Sequence, residues 1–227
     1  MRYTVSMQIE DRSFTPALGT HNRTGSYDKV IAVMTRERRW RGRMLSELSP
    51  KPKQTILDIG SGTGSFAILV KQACPGVRII AVDPDPEVRR IAEIKAQTAK
   101  VAIDFITAYG DDAIKSITPE SIDVVTCSLV LHQCTSAVKI GILDNAYRLL
   151  RPLGRLLISD YGKQRSPLMS MLFNQVRMVD GYEDTKANKD GRLPEIISKA
   201  GFQAVEELKM THTPTGSISL YSGRKPN

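Results

Sequence analysis

Cysteine is scarce in this chain of 227 residues: Cys74, Cys127 and Cys134 are its only three, and none forms a C-x-x-C pair. That excludes a disulfide framework or a zinc knuckle as the organising principle, and it fits a reducing compartment. Long apolar runs are missing too. No stretch approaches the roughly 18 residues of a membrane span, and the first residues, with Arg2, Glu10, Asp11 and Arg12, lack the apolar centre of a secretory signal. The expected location is therefore cytoplasmic. Aromatic residues make up only 6%, and no internal repeat or low-complexity tract appears. What remains is ordinary for a folded domain, with 41% hydrophobic and 25% charged residues. The length suits one large domain with a full core.

Acid is in deficit, leaving a net charge of +8. The excess gathers at Arg36, Arg38, Arg39, Arg41 and Arg43 around the only tryptophan, Trp40. Three readings fit. The arginines are the solvated face of a helix whose apolar stripe is Val30, Ile31, Val33, Met34, Met44 and Leu45; they meet an anionic substrate or membrane surface; or they bind nucleic acid by releasing counterions. The sequence modules and interleaved aromatics of RNA-binding domains are missing, which favours the first.

Along the chain, residues 1 to 24 are polar and unpatterned and read as an N-terminal arm. Residues 25 to 227 read as a single domain. A helical region over 27–48 precedes an alternation of strands at 54–59, 77–83, 102–107, 122–128 and 154–160 with helices at 64–73, 86–98 and 136–150 and a short turn near 112–116. Such alternation implies a parallel sheet with helices on both faces. The rhythm breaks at 161–192, where a Met-rich apolar helix over 167–179 leads into a polar stretch. A last helix at 194–200 and two successive strands, 205–210 and 217–222, suit an antiparallel hairpin at the sheet edge.

The most informative segment is Ile-Leu-Asp-Ile-Gly-Ser-Gly-Thr-Gly-Ser-Phe-Ala, Ile56 to Ala67. A buried strand breaks into Gly60, Gly62 and Gly64 and resumes as an apolar helix, so a ligand can lie against bare backbone at the turn. A dinucleotide fingerprint spaces its glycines G-x-G-x-x-G to receive a pyrophosphate at the helix end. Here the third glycine comes one residue early and Ser65 stands where Gly is wanted. Asp58, two residues before the turn, is a poor neighbour for pyrophosphate and a good one for an ammonium group. Asp83 closes the next strand, where a carboxylate can accept both hydroxyls of a ribose. The ligand so described has a ribose and a cationic amino-acid end.

At these residues, with Gly110-Asp111-Asp112-Ala113, the strand Ile122 to Leu131 and the run Leu149 to Leu156, the chain resembles the class I methyltransferases that use S-adenosylmethionine. The resemblance implies an α/β, doubly wound, seven-stranded and mostly parallel sheet of order 3-2-1-4-5-7-6, its last strand antiparallel, with an N-terminal helical segment and a helical lid after strand 5. It implies that Gly60, Ser61 and Gly62 hold the methionine end, assisted by Asp58, and that Asp83 takes the ribose hydroxyls. Pro84 would lie against the adenine, Asp111 would accept from its amino group, and Asp112 would meet the ring through its backbone. Ser128 falls among the cofactor-side residues after strand 4. Asp111 and Asp112 also fit a helix N-cap pair.

The acceptor side is less defined. His132, in Ser128 to Cys134, is a candidate general base for a hydroxyl or an acidic carbon, and equally a packing or capping histidine. No Asn-Pro-Pro-Tyr type of motif is present, which weakens exocyclic amines as targets. Cys127 and Cys134 raise arsenite methylation through thiolates, although buried cysteines usually serve as small hydrophobes. No metal site is expected. Tyr27, His132, Met169 and Leu172 are the candidate acceptor contacts, with residues 161–192 as the lid segment, its closing part 161–182 bracketed by Gly162 and Gly181. Ser128 to His132, Asp180 to Glu183 and Gly191 to Pro194 further resemble the ubiquinone and menaquinone C-methylating group. The expected function is methyl transfer to a small apolar or aromatic metabolite. The alternatives are an RNA or protein methyltransferase using Arg36 to Arg43, or a non-catalytic cofactor-binding protein. The oligomeric state stays open.

Overall fold

Strand β1 (Thr55–Ile59) is buried on both faces along Ile56 to Ile59, as a central strand of a parallel sheet must be. The computed structural model describes residues 35–112, 115 and 117–227. The proposed arm, Tyr27 and the first part of the expected N-terminal helix lie outside them. In chain order the elements are α1 (Glu37–Leu48), β1, α2 (Ser65–Ala73), β2 (Arg78–Asp83), α3 (Pro86–Thr98), β3 (Asp104–Thr107), β4 (Ile122–Ser128), a 3₁₀ turn (Leu131–Gln133), α4 (Ser136–Leu149), β5 (Leu150–Tyr161), α5 (Pro167–Asp180), α6 (Lys186–Lys189), α7 (Leu193–Lys199), β6 (Gln203–Thr213) and β7 (Gly216–Arg224).

The seven strands form one sheet of order β3-β2-β1-β4-β5-β7-β6. The first five run parallel, and β7 is antiparallel to both β5 and β6. The expected topology is thus observed. Alternation along each strand divides the core. Leu57, Ile59, Ile80, Val82, Val125 and Ile158 face one layer with α4 and α7. Ile56, Ile79, Ala81, Val124 and Leu157 face the other with Trp40, Met44, Phe66 and Phe173 from α1, α2 and α5. Truncating a fully buried phenylalanine such as Phe173 costs about 3–5 kcal/mol, so α5 is held to the sheet firmly by that residue.

Several boundaries differ from the sequence reading, each for a local reason. Helix α1 begins only at Glu37 because Arg36 is left-handed, with φ 50°. Strand β5 starts directly at the end of α4, four residues early: Leu150 pairs with Ile122 before the register shifts, and Leu153 at φ 64° absorbs the irregularity. The closing hairpin is longer than expected because Thr213 pairs directly with Gly216, whose φ of 114° turns the chain within two residues.

Candidate functional site

The carboxyl ends of β1, β2 and β4 meet at the glycine turn. Gly60, Gly62 and Gly64 have φ of 65°, 53° and 72°, a left-handed path that costs other residues about 1–2 kcal/mol each. Gly60 and Ser61 donate their amides to Val82 O at 2.8 and 3.0 Å, which ties the turn to β2. The glycines then serve different ends. A Cβ on Gly60 would overlap Val130, and one on Gly64 would press on Ala92 at 3.2 Å; one on Gly62 would meet nothing within 4 Å. Gly62 therefore faces open space, as a backbone cradle for a ligand requires.

Asp83 lies beside it. Its Oδ2 accepts the Gly62 amide at 2.9 Å and its Oδ1 the Asp85 amide at 3.1 Å. Burial raises its pKa against the opposing effect of these bonds. Each oxygen keeps lone-pair capacity for a further donor, as ribose hydroxyls demand. Asp85 itself caps α3 by accepting from the Glu87 and Val88 amides. Pro84 is half-buried between Asp83 and Asp85.

Asp58 is buried in β1, level with Ala81 and Thr126 on the neighbouring strands. Thr126 Oγ1 donates to its Oδ1 at 2.7 Å, while Oδ2 is buried without a partner. Desolvation pushes its pKa up to about 6, against the Thr126 bond and the charge of Arg41, with Asp83 adding to the rise. A buried carboxylate oxygen without a donor is costly, and a ligand ammonium would relieve that cost. These groups fit S-adenosylmethionine: Asp58 would accept from the cationic end, Gly62 would admit close approach, and Asp83 would accept from the ribose.

After β3, the loop carrying Asp111 and Asp112 is pinned by α4. Asn145 Nδ2 donates to Gly110 O at 3.1 Å, and a Cβ on Gly141 would lie 2.9 Å from Asp111 Cβ. Asp112 donates its amide to Tyr109 O at 2.9 Å and pairs with Lys115 at 3.1 Å. Ser128 ends β4 opposite Ser159. These residues stand at the carboxyl edge with Asp58 and Asp83, the place where ligands lie in open parallel sheets.

His132 is engaged at both ring nitrogens. Nδ1 lies 2.7 Å from Asp160 Oδ1 and Nε2 lies 3.4 Å from Asp180 Oδ2. Burial works against the imidazolium, but the charge and hydrogen bond of Asp160 and those of Asp180 outweigh it, and the pKa is pushed up to about 9. Near neutral pH the ring is charged and already bonded, a poor starting point for a general base. The thiols are equally inert: burial lifts Cys127 well above its usual value and Cys134 up to about 12. Among the described residues no group of three or more His, Cys, Asp or Glu could hold a metal, and no helix is long and apolar enough to cross a membrane.

On α5, Met169 and Leu172 are half-buried beside the wholly buried Phe173, whose ring sits 4.7 Å from that of Tyr161. Gly162 owes its place to close packing, since a Cβ there would overlap Ser219 and Tyr221. Gly181, at φ 92°, is the conformational turn. The arginine cluster separates. Arg36 donates to His212 O at 3.1 Å and Arg43 to Met210 O at 2.6 Å, both on β6. Arg41 is half-buried and pairs with Glu37, while Arg38 and Arg39 are exposed.

Sequence reasoning overlooked Thr126, Val130 and Asp160. A signal for Asp160 was present: like Asp58 and Asp83, it is an acid at or one residue before the end of a buried apolar strand.

Residues 57–158 match the methyltransferase domain family. Over an alignment 228 positions long the chain is 26% identical to a ubiquinone/menaquinone biosynthesis C-methyltransferase of Cereibacter sphaeroides, spanning 91% of this chain and 89% of that protein. It is 31% identical over 157 residues to an arsenite methyltransferase of Halobacterium salinarum, covering 68% of this chain but only 39% of the relative. The fold is similar to that of Haemonchus contortus phosphoethanolamine N-methyltransferase 2 in complex with S-adenosyl-L-methionine, with a TM-score of 0.68 at 19% identity; the match covers 83% of this chain and about half, 53%, of that one.

Proposed function

We propose that this chain, an S-adenosylmethionine-dependent methyltransferase of class I fold, transfers the methyl group to a small apolar or aromatic metabolite held between the carboxyl edge of the sheet and α5. The observation that carries this reading is the chemistry of α5 itself: its half-buried side offers Met169, Leu172 and Val176, and its end is tied through Asp180 to the turn whose Val130 abuts Gly60. An acceptor there meets apolar side chains, and methionines adapt to irregular shapes.

The bound cofactor supplies an activated methyl on sulfonium. The protein's part is mainly positional. Asp58 anchors the ammonium, the Gly62 backbone admits close approach, and Asp83 fixes the ribose, so that methyl and acceptor can be held in line; well-oriented reactions gain effective molarities up to about 10⁸ M. With His132 bonded at both nitrogens, the reading favours an acceptor that is already a competent nucleophile. The relatives that methylate carbon in ubiquinone and menaquinone biosynthesis support a reduced aromatic ring among the candidates. Protonated thiols at Cys127 and Cys134 weigh against arsenite. Use of Arg36 and Arg43 to bind β6 weighs against an RNA site at the cluster.

The test is methyl transfer from S-adenosylmethionine labelled in the methyl group, with a reduced naphthoquinol, catechol, arsenite, total RNA and bulk protein offered separately. Label extractable into organic solvent with one of the aromatic acceptors supports the proposal. Label fixed to RNA, protein or arsenic, or no transfer to any acceptor despite S-adenosylhomocysteine binding, overturns it.

A further inference from the structure

Asp160 is fully buried at the end of β5, and its contact with His132 is only part of its bonding. Its Oδ2 accepts the amides of Val130, Leu131 and His132 at 3.2, 2.7 and 3.3 Å. Its Oδ1 accepts the Tyr161 amide at 2.7 Å and faces His132 Nδ1 at 2.7 Å. Both oxygens are thus engaged, by groups on two segments of the chain. One side chain thus sets the path of the whole turn after β4.

That turn touches both halves of the site. Val130 is the residue that a Cβ on Gly60 would strike, so its position fixes the wall behind the glycine turn. His132 reaches the other way, to Asp180 at the last turn of α5. A second cation ties the same corner: Lys139, buried in α4, donates to Cys134 O at 2.5 Å and to Asp184 O at 2.6 Å. The groups facing the imidazole are Asp160 and Tyr161 from β5, the tyrosine ring edge-on at 4.9 Å, and Asp180 from α5. Cys127 from β4, Cys134 from the turn and Lys139 from α4 lie within the field of Asp160.

We propose that Asp160 is a positioning residue, holding Val130 against the cofactor turn and, through the His132 ring, holding Asp180 and the end of α5 on the acceptor side. The cofactor half of this assignment rests on the S-adenosylmethionine site argued above, whereas the clamp on α5 does not. The His132–Asp160 pair is buried, so removing Asp160 leaves the ring with only the longer 3.4 Å contact to Asp180.

The experiment follows the His132 ring by nuclear magnetic resonance through a pH titration, with S-adenosylhomocysteine affinity and amide exchange of α5 measured on the same proteins. In the native protein the ring is expected to titrate near 9. Asp180→Asn should lower that value by about a unit and speed α5 exchange at least fivefold, with exchange in α2 unchanged and S-adenosylhomocysteine affinity within threefold. Asp160→Asn should bring the ring below 7 and weaken S-adenosylhomocysteine at least tenfold. If Asp160→Asn does not fold, the Asp180→Asn titration and exchange decide the clamp. A native ring titrating near 6.5, or α5 exchange indifferent to Asp180→Asn, overturns the proposal. Native protein that fails to bind S-adenosylhomocysteine but keeps the high titration would instead overturn the cofactor reading and the Val130 half with it, leaving the clamp supported.

Discussion

Thr126 Oγ1 holds Asp58 Oδ1 at 2.7 Å and leaves Oδ2 of the same carboxylate buried without a donor. The folded protein binds the Asp58 proton more tightly than the unfolded chain, since burial raises its pKa from 3.8 to about 6. Stability from this group is therefore fully present below about pH 4 and is lost as pH rises through about 6. At pH 7.5 the charge is a standing cost that a ligand ammonium would offset. Asp58→Asn should stabilise the ligand-free protein by about 1–3 kcal/mol at that pH and weaken S-adenosylhomocysteine at least tenfold. Native affinity should also decline from pH 7 to pH 5. Thermal unfolding and calorimetry at both pH values check this; a destabilised variant, or affinity flat with pH, counts against Asp58 as the ammonium partner.

Asp83 stands beside the glycine turn, where it would take the ribose of the proposed ligand. Its Oδ2 already holds the Gly62 amide, so Asp83→Ala removes a ribose acceptor and loosens the cradle together. A loss of about 1.5–3 kcal/mol in cofactor affinity is expected, the range for hydrogen bonds to a charged group. Calorimetry with S-adenosylhomocysteine reads it directly, and NAD should give no heat with either protein. An unchanged dissociation constant would remove Asp83 from the site.

Gly60→Ala and Gly62→Ala should fail differently. Both pay a left-handed backbone cost of about 1–2 kcal/mol. At Gly60 the new methyl also overlaps Val130, so chemical denaturation should show a loss well beyond that cost. At Gly62 the methyl meets nothing in the protein; stability should drop only by the backbone cost while S-adenosylhomocysteine binding is abolished. Equal stability losses with retained binding at Gly62 would mean that the open space beside it is not the ligand's.

The sheet order, and the meeting of Asp58 and Asp83 at the glycine turn, were legible because each rests on a local pattern: apolar runs of strand length, a glycine turn, an acid near a strand end. The partner of Asp58 was not, because Thr126 reaches it across a register of strands that no sequence window spans. His132 was recognised as a residue of interest without its chemistry, since Asp160 and Asp180 come from β5 and α5 and only the folded chain brings them to its two nitrogens. The arginine cluster was read as a solvated face, and Arg36, Arg38, Arg39 and Arg43 are exposed, but the contacts of Arg36 and Arg43 with β6 were not visible. Its members are close in sequence, but the helix turns them toward different neighbours.

That division gives the last prediction. Arg38 and Arg39 are exposed on α1, so Arg38→Gln with Arg39→Gln should change stability by less than about 0.5 kcal/mol and leave cofactor binding intact. Arg43 donates to Met210 O and to Thr211 Oγ1 at 2.7 Å, joining α1 to β6. Its loss should cost about 1 kcal/mol, reduced from the value for buried charged bonds because the arginine is solvated. Arg41 acts inward: its charge lowers the pKa of Asp58, so Arg41→Gln should carry the pH dependence of S-adenosylhomocysteine binding upward. Calorimetry between pH 5 and 8 separates these roles, and retention on an RNA column at physiological salt tests the alternative. Strong retention that the Arg38 and Arg39 double variant abolishes would identify the exposed pair as a nucleic-acid contact and not a solvated face.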